Sequence, residues 1–136
     1  MRKVILMTLL TVVSSSAAAE WVAIARHKTE TDYADPTTIR RTGNMVKMWN
    51  LFDFKTVEAA AFAVRPATGL KPFLSYRTQT EYDCKEGQYR WLFIDYFSGN
   101  MARGETLGRV SDPSPWEPVP PGSIGELEWK FACGNK

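Results

Sequence analysis

Residues 73–97 constrain the fold most. From Phe73 to Asp83 the chain alternates, with Leu74, Tyr76, Thr78, Thr80 and Tyr82 on one side and Ser75, Arg77, Gln79, Glu81 and Asp83 on the other. A period of two sends alternate side chains to opposite faces of a strand, here one buried and one solvated. Lys85-Glu86-Gly87 follows as a short turn in which Gly87 is free to take positive φ, and Gln88–Phe97 returns as a second strand. In that strand Tyr89, Trp91, Phe93 and Phe97 fall on one side and Leu92, Ile94 and Tyr96 on the other, so it is expected to be central and covered on both faces. Two long strands joined by a tight turn commit the chain to an antiparallel sheet.

Further strands are expected at Glu20–Arg26, Met45–Phe54 and Arg103–Val110, with turns at Thr42-Gly43-Asn44 and Ser98-Gly99-Asn100. Lys28–Arg41 is polar and contains Asp35-Pro36, which reads as a loop with room for one helical turn. Val57–Val64 is alanine-rich and helix-prone, but it is short and runs into Arg65-Pro66. Lys55–Leu70 is therefore read as a mobile connection. Asp112–Pro121 carries five prolines in ten residues and is expected to cross the domain in an extended form, packed through Trp116. A short helix should close the chain. Ser123 is placed to cap it, Glu126 to complete a capping box, Ile124, Leu127 and Phe131 to form its apolar stripe, and Gly134 to end it.

The first residues have the pattern of an export signal. Arg2 and Lys3 precede an apolar run, Val4–Val13, and the small residues Ser14–Ala19 place cleavage between Ala19 and Glu20. Too few apolar residues lie between Lys3 and Glu20 to span a bilayer, which takes about 20. With no cysteine beside the cleavage point, no lipid anchor is expected there. The expected organisation is a signal peptide, 1–19, and a single domain, 20–136, that resides in the periplasm, on the outer surface or outside the cell. The chain has two cysteines, Cys84 and Cys133. In an oxidising compartment they are expected to pair with each other.

Export also changes the charge balance. The chain has 17 basic and 15 acidic residues, and without Arg2 and Lys3 the remainder is balanced at 15 each. A nucleic-acid binder usually carries a basic excess. Tyr82, Tyr89, Arg90 and Trp91 are accordingly read as sheet residues, not as a stacking platform for single strands, and no nucleic acid is expected as a partner. The basic residues Arg26, Lys28, Arg40, Arg41 and Lys47 cluster early, but as solvated surface.

No catalytic constellation stands out. His27 is the single histidine, with no cysteine or carboxylate at ligand spacing, so neither a metal nor a cofactor is expected. No Gly-x-Ser-x-Gly turn accompanies a serine, and Gly99, Gly104 and Gly108 have hairpin spacing, not that of a phosphate cradle. Asp53, Asp83 and Asp95 are the carboxylates available for acid–base work, and equally the ones that strand ends and hairpin mouths ordinarily carry.

Several pieces in order then resemble the surface-adhesin protein E family, small exported proteins of Gram-negative bacteria. They are Trp21-Val22, Tyr33-x-Asp35 with Ile39-Arg40, Val46-Lys47-Met48-Trp49 and Glu81-Tyr82-Asp83-Cys84-Lys85. Arg90, Gly104-Glu105, Trp116, Pro121-Gly122-Ser123 and Cys133-Gly134 continue the series. The resemblance implies a mainly antiparallel sheet with a C-terminal helix held to it by a disulfide. It also implies a tendency to dimerise and, from the namesake, adhesion to host matrix proteins such as vitronectin and laminin; no ligand-binding residue carries over.

The expected fold is α+β: an antiparallel meander of about five to six strands, with the C-terminal helix on one face tied by Cys84–Cys133. Along Phe73–Asp83 the alternation gives Cys84 the parity of Tyr76 and Tyr82, toward the helix, and sends Asp83 to water. The expected function is non-catalytic binding of a protein partner, either a host matrix protein or, in a periplasmic role, another envelope protein. The second apolar face of the central strands needs the proline segment, the Lys55–Leu70 connection or a second subunit in a homodimer to cover it.

Overall fold

The computed structural model describes residues 19–64 and 71–134, so most of the signal segment and part of the 55–70 connection lie outside the described residues. Six strands run as an antiparallel meander in chain order: β1 (Val22–Arg26), β2 (Glu30–Thr42), β3 (Met45–Phe54), β4 (Ser75–Asp83), β5 (Gln88–Phe97) and β6 (Thr106–Val110). A two-residue strand, β7 (Glu117–Pro118), adds to β5. Helices α1 (Val57–Ala63) and α2 (Ile124–Cys133) both lie on one face of the sheet. The turn glycines behave as expected, with Gly43 at φ 61° and Gly87 at φ 64°.

β2 corrects the reading of Lys28–Arg41 as a loop. It is a full 13-residue strand paired to β3, and the Asp35-Pro36 signal marks an interruption inside it. The register breaks between Asp35 and Arg40. There the Asp35 carboxylate accepts from the Thr37 amide at 3.0 Å and the Thr37 hydroxyl at 2.6 Å. Thr38 Oγ1 in turn accepts the Trp49 amide at 3.0 Å, supplying the bond that the broken ladder cannot. A proline without an N–H is tolerated where the ladder is already open.

β5 corrects two face assignments. A register shift against Gln79/Thr80 lets Leu92 bulge, so Tyr89 and Trp91 pair with Tyr82 and Thr80, while Ile94 and Tyr96 pair with Thr78 and Tyr76. All four face the helices, and Phe93 and Phe97 face away. One extra residue reverses the parity of everything beyond it. The opposite side of β4 is likewise less wet than its polarity suggests. Ser75 is buried and bonds Gly99 O through its hydroxyl, Glu81 is buried under Arg90, and Asp83 turns back to accept the Lys85 and Glu86 amides.

Val57–Ala63 forms a helix, against its reading as mobile. Thr56 caps it by accepting the Ala59 amide at 3.1 Å, and Ala60 is wholly buried beside Phe54, Phe73 and Tyr96. Tertiary packing outweighs the short length. The proline segment packs as expected: Trp91 and Ser114 exchange hydrogen bonds, Val119 N donates to Gly87 O, and the Arg90 guanidinium lies 4.7 Å from the Trp116 ring centre.

α2 begins at Ser123, whose hydroxyl accepts the Glu126 amide at 3.1 Å, and ends at Gly134 with φ 78°. The Glu126 carboxylate reaches Gly122 N instead of closing a box on Ser123, because the Ser123 amide donates to Pro120 O. The buried stripe also differs from the expected one. Leu127 is exposed, and Ile124, Glu128 and Ala132 turn to the sheet, with Glu128 only 8% exposed, while Phe131 packs against the core as expected.

Candidate functional site

The Cys84–Cys133 bond joins the mouth of the β4–β5 hairpin to the last turn of α2, with Cα atoms 5.7 Å apart. Trp129 Nε1 donates to Asp83 O at 3.0 Å and Arg41 Nη2 to Cys133 O at 3.3 Å, so the same end of the helix is held three ways. Arg41 also sits well for the helix C-terminus, where carbonyls point outward and favour cations. Glu20 and Ala19, the residues flanking the expected cleavage point, sit on the other face, where Glu20 N donates to Asp35 Oδ2 at 3.2 Å.

The three aspartates singled out for acid–base chemistry do separate work. Asp53 accepts from Asn100 Nδ2 and the Met101 amide, pinning the β5–β6 turn, in which Met101 and Ala102 both have positive φ. Asp83 closes the β4–β5 turn. Asp95 is fully buried and bonds Arg77 at 3.0 Å and Arg109 at 2.6 and 3.1 Å. Burial pushes its carboxyl up, but bonds from Arg109 and Arg77 outweigh that and hold it below the usual carboxylate range. Asp95→Ala should cost about 2 kcal/mol in a denaturant titration, because it strips both arginines of their partner while leaving them partly hydrated.

Arg77 opens the first of two concave surfaces. Its guanidinium stands 5.1 Å from the Trp49 ring centre and 5.3 Å from that of Phe97, on the face opposite α1 and α2. Around it Trp21, Asp35, Arg40, Trp49 and Gln79 line a groove of about 470 Å³. Asp95 fixes Arg77, and Arg77 fixes the stacking.

The second concavity, of about 230 Å³, lies between α1 and α2 over the opposite face. Its walls are Phe52, Tyr76, Tyr82, Tyr89 and Trp91, with Ala63 from α1 and Ile124 from α2. Glu30, Asp32 and Glu128 line it as well. Asp32 comes from β2 opposite Phe52, and Glu128 from the inner stripe of α2. Among the described residues, both Asp32 oxygens, Glu128 Oε1 and Asn50 Oδ1 are buried without a hydrogen-bond partner. Close by, Asn50 Nδ2 donates to the Tyr82 hydroxyl at 2.7 Å, and Thr78 and Thr80 bond each other at 3.0 Å. His27 Nε2 comes no closer to Asp32 than 3.8 Å.

Burial first, then the charges of Glu30 and Glu128, push the Asp32 carboxyl up to about 8. Burial likewise pushes Glu128 up to about 7, against the pull of Asn50 and Tyr82. Sequence reasoning missed this pair. The available signal was the i, i+4, i+8 spacing of Ile124, Glu128 and Ala132, which places a carboxylate on the inner stripe. Among the described residues no three His, Cys, Asp or Glu side chains are grouped as metal ligands, and no helix is long and apolar enough to cross a membrane.

Residues 21–134 match the surface-adhesin protein E family from the first strand to the end of the last helix. The chain belongs to that family. Two crystal structures of protein E from Haemophilus influenzae share its fold. Crystal form II superposes with a TM-score of 0.60 at 11% identity, covering 85% of this chain and 87% of the other. The protein from a non-typeable strain gives 0.55 at 10% identity, covering 89% and 80%. At such identities the likeness is one of fold, and comparison with proteins of curated function returns no match. The adhesin E fold here carries the Arg77 groove on the face opposite α1 and α2, and the acid-lined cleft on the face they cover.

Proposed function

We propose that this adhesin E protein is exported, cleaved between Ala19 and Glu20, and acts as a non-catalytic binding protein for a protein partner, foremost a host matrix protein. The observation that carries the reading is the groove around Arg77 on the face opposite α1 and α2. Tryptophan and arginine are the residues in which protein-binding energy concentrates. Here Trp49 and Arg77 are already held in place by Phe97 and Asp95, so binding loses little side-chain entropy. A homodimer is part of the proposal, and light scattering at high concentration checks it.

Purified protein should bind immobilised vitronectin or laminin saturably at physiological salt, and Arg40→Glu at the groove rim should weaken that binding about tenfold or more. Absence of saturable binding to matrix proteins overturns the host role. Protease treatment of intact cells decides where the protein works: digestion places it on the surface, and protection places it in the periplasm with an envelope protein as partner.

Cleavage has its own signature. It would convert the Glu20 amide nitrogen, 3.2 Å from the buried Asp35 carboxylate, into an ammonium, and so a neutral hydrogen bond into a charge-assisted one. N-terminal sequencing of the exported protein should read Glu-Trp-Val-Ala. In that processed chain Asp35→Asn should lower stability by about 1–2 kcal/mol. A different first residue would refute the cleavage site.

A further inference from the structure

We propose that the cleft between α1 and α2 binds a small organic cation, an alkylammonium or guanidinium group, seated on Asp32 and Glu128 within an aromatic wall. This inference is independent of which protein the opposite face takes.

The supply of hydrogen-bonding groups points to a cation. Among the described residues, three buried oxygens of the lining, two from Asp32 and one from Glu128, accept no hydrogen bond, and no lysine or arginine lines the cleft. Buried acceptors without donors are costly, and a ligand bringing several N–H groups relieves that cost directly. The walls agree with the floor. Phe52, Tyr76, Tyr82, Tyr89 and Trp91 line the space, and aromatic rings attract ammonium and guanidinium groups, most of all when water is excluded. Trp91, 39% exposed, stands at the rim.

Size and geometry narrow the class. At about 230 Å³ the cleft is below the usual range for drug-sized ligands, so the occupant is a small molecule or a single side chain. A hard metal ion wants six or more oxygens around it. This floor lacks such a cage, and apolar rings suit an organic cation better.

Protons compete for the same oxygens. The charged or titratable groups facing Asp32 and Glu128 are Glu30 from β2, His27 past the end of β1, Tyr76 and Tyr82 from β4, and Tyr89 from β5. With the cleft empty, both carboxyls hold protons into the neutral range. A cation displaces those protons, so its affinity should rise with pH until the carboxyls ionise unaided. The slope is about tenfold per pH unit for each proton released.

The test titrates n-butylammonium into the full-length protein at about pH 5.5 and about pH 8.5, following tryptophan fluorescence and calorimetry, with 1-butanol and calcium as controls. The expected result is saturable butylammonium binding, at least tenfold stronger at the higher pH and at least tenfold weaker in Glu128→Gln. Asp32→Asn supplies the same comparison should Glu128→Gln fold poorly. A tighter fit for Nα-acetyl-lysine methylamide assigns the cation to a peptide lysine, and a tighter fit for butylammonium to a free amine; both sustain the proposal. Binding of 1-butanol as strong as that of butylammonium, binding of calcium alone, or no saturable binding overturns it.

Discussion

Cys133→Ser, or reduction of the wild-type protein, is expected to lower stability by about 4 kcal/mol, because the bond closes a loop spanning 49 residues in sequence. For a domain of this size the melting temperature should fall by roughly 15 °C. The effect is large because the closed loop contains β5, β6, the proline segment and α2, so the unfolded chain regains much of its freedom when the bond is absent. In the folded state α2 would then rest on few other tethers. These are Trp129 to Asp83 O, Arg41 to Cys133 O, and a sheet-facing stripe that includes the buried Glu128. Released at its C-terminal end, the helix is only ten residues long and has little stability of its own. Scanning calorimetry with and without reductant checks this, with the Cys84→Ser/Cys133→Ser double variant as the reference. The wild type in reductant should melt with the double variant, and reductant should not move the double variant itself. Equal melting of the oxidised and reduced wild type would rule out the stapling role.

Much of this architecture was legible because local chemistry and tertiary context agree. The β4–β5 hairpin, the bounds of β3 and β5, and the caps of α2 at Ser123 and Gly134 all match the sequence reading. The disagreements share a physical cause. Asp35-Pro36 has turn chemistry, yet it makes a bulge inside β2 because Thr38 replaces the lost ladder bond. A bulge at Leu92 leaves the composition of β5 unchanged and reverses half its faces, which no periodicity argument detects. α1 is too short to stand alone and forms because Ala60 packs beneath Phe54 and Phe73.

The cleft was illegible for a different reason. Hydrophobic patterning assigns Leu127 inward and Glu128 outward, and the helix rotates the other way because Cys133 and Trp129 must both reach the β4–β5 hairpin. The disulfide therefore sets the rotation that buries Glu128. Asp32 was hidden inside a segment whose polarity reads as a loop. Both buried acids oppose local preference, which is where function most often overrides folding rules.

Between about pH 5 and pH 9 the protein should lose stability as pH rises, the reverse of ordinary acid denaturation. Asp32 and Glu128 have folded pKa values of about 8 and about 7, above the ordinary 3.8 and 4.5. The folded state thus holds protons that the unfolded chain has already released. Their stabilising contribution is complete below the unfolded values and is lost as pH rises through about 7 for Glu128 and about 8 for Asp32. Removing the ionisable group at Glu128 should flatten the profile. At one pH unit per 1.36 kcal/mol, Glu128→Gln is expected to gain up to about 3 kcal/mol over the wild type near pH 8.5 and nothing near pH 5. Urea titrations of both proteins at the two pH values measure this directly, and a wild-type stability that rises from pH 5 to pH 8.5 would defeat it. The same measurement separates a structural acid pair from a binding site. Butylammonium, binding the folded state alone, should restore wild-type stability near pH 8.5 with the logarithm of its concentration once that exceeds its dissociation constant. It should do far less in Glu128→Gln, where half of the negative seat is gone. A pair that serves packing alone would give the pH profile without the rescue.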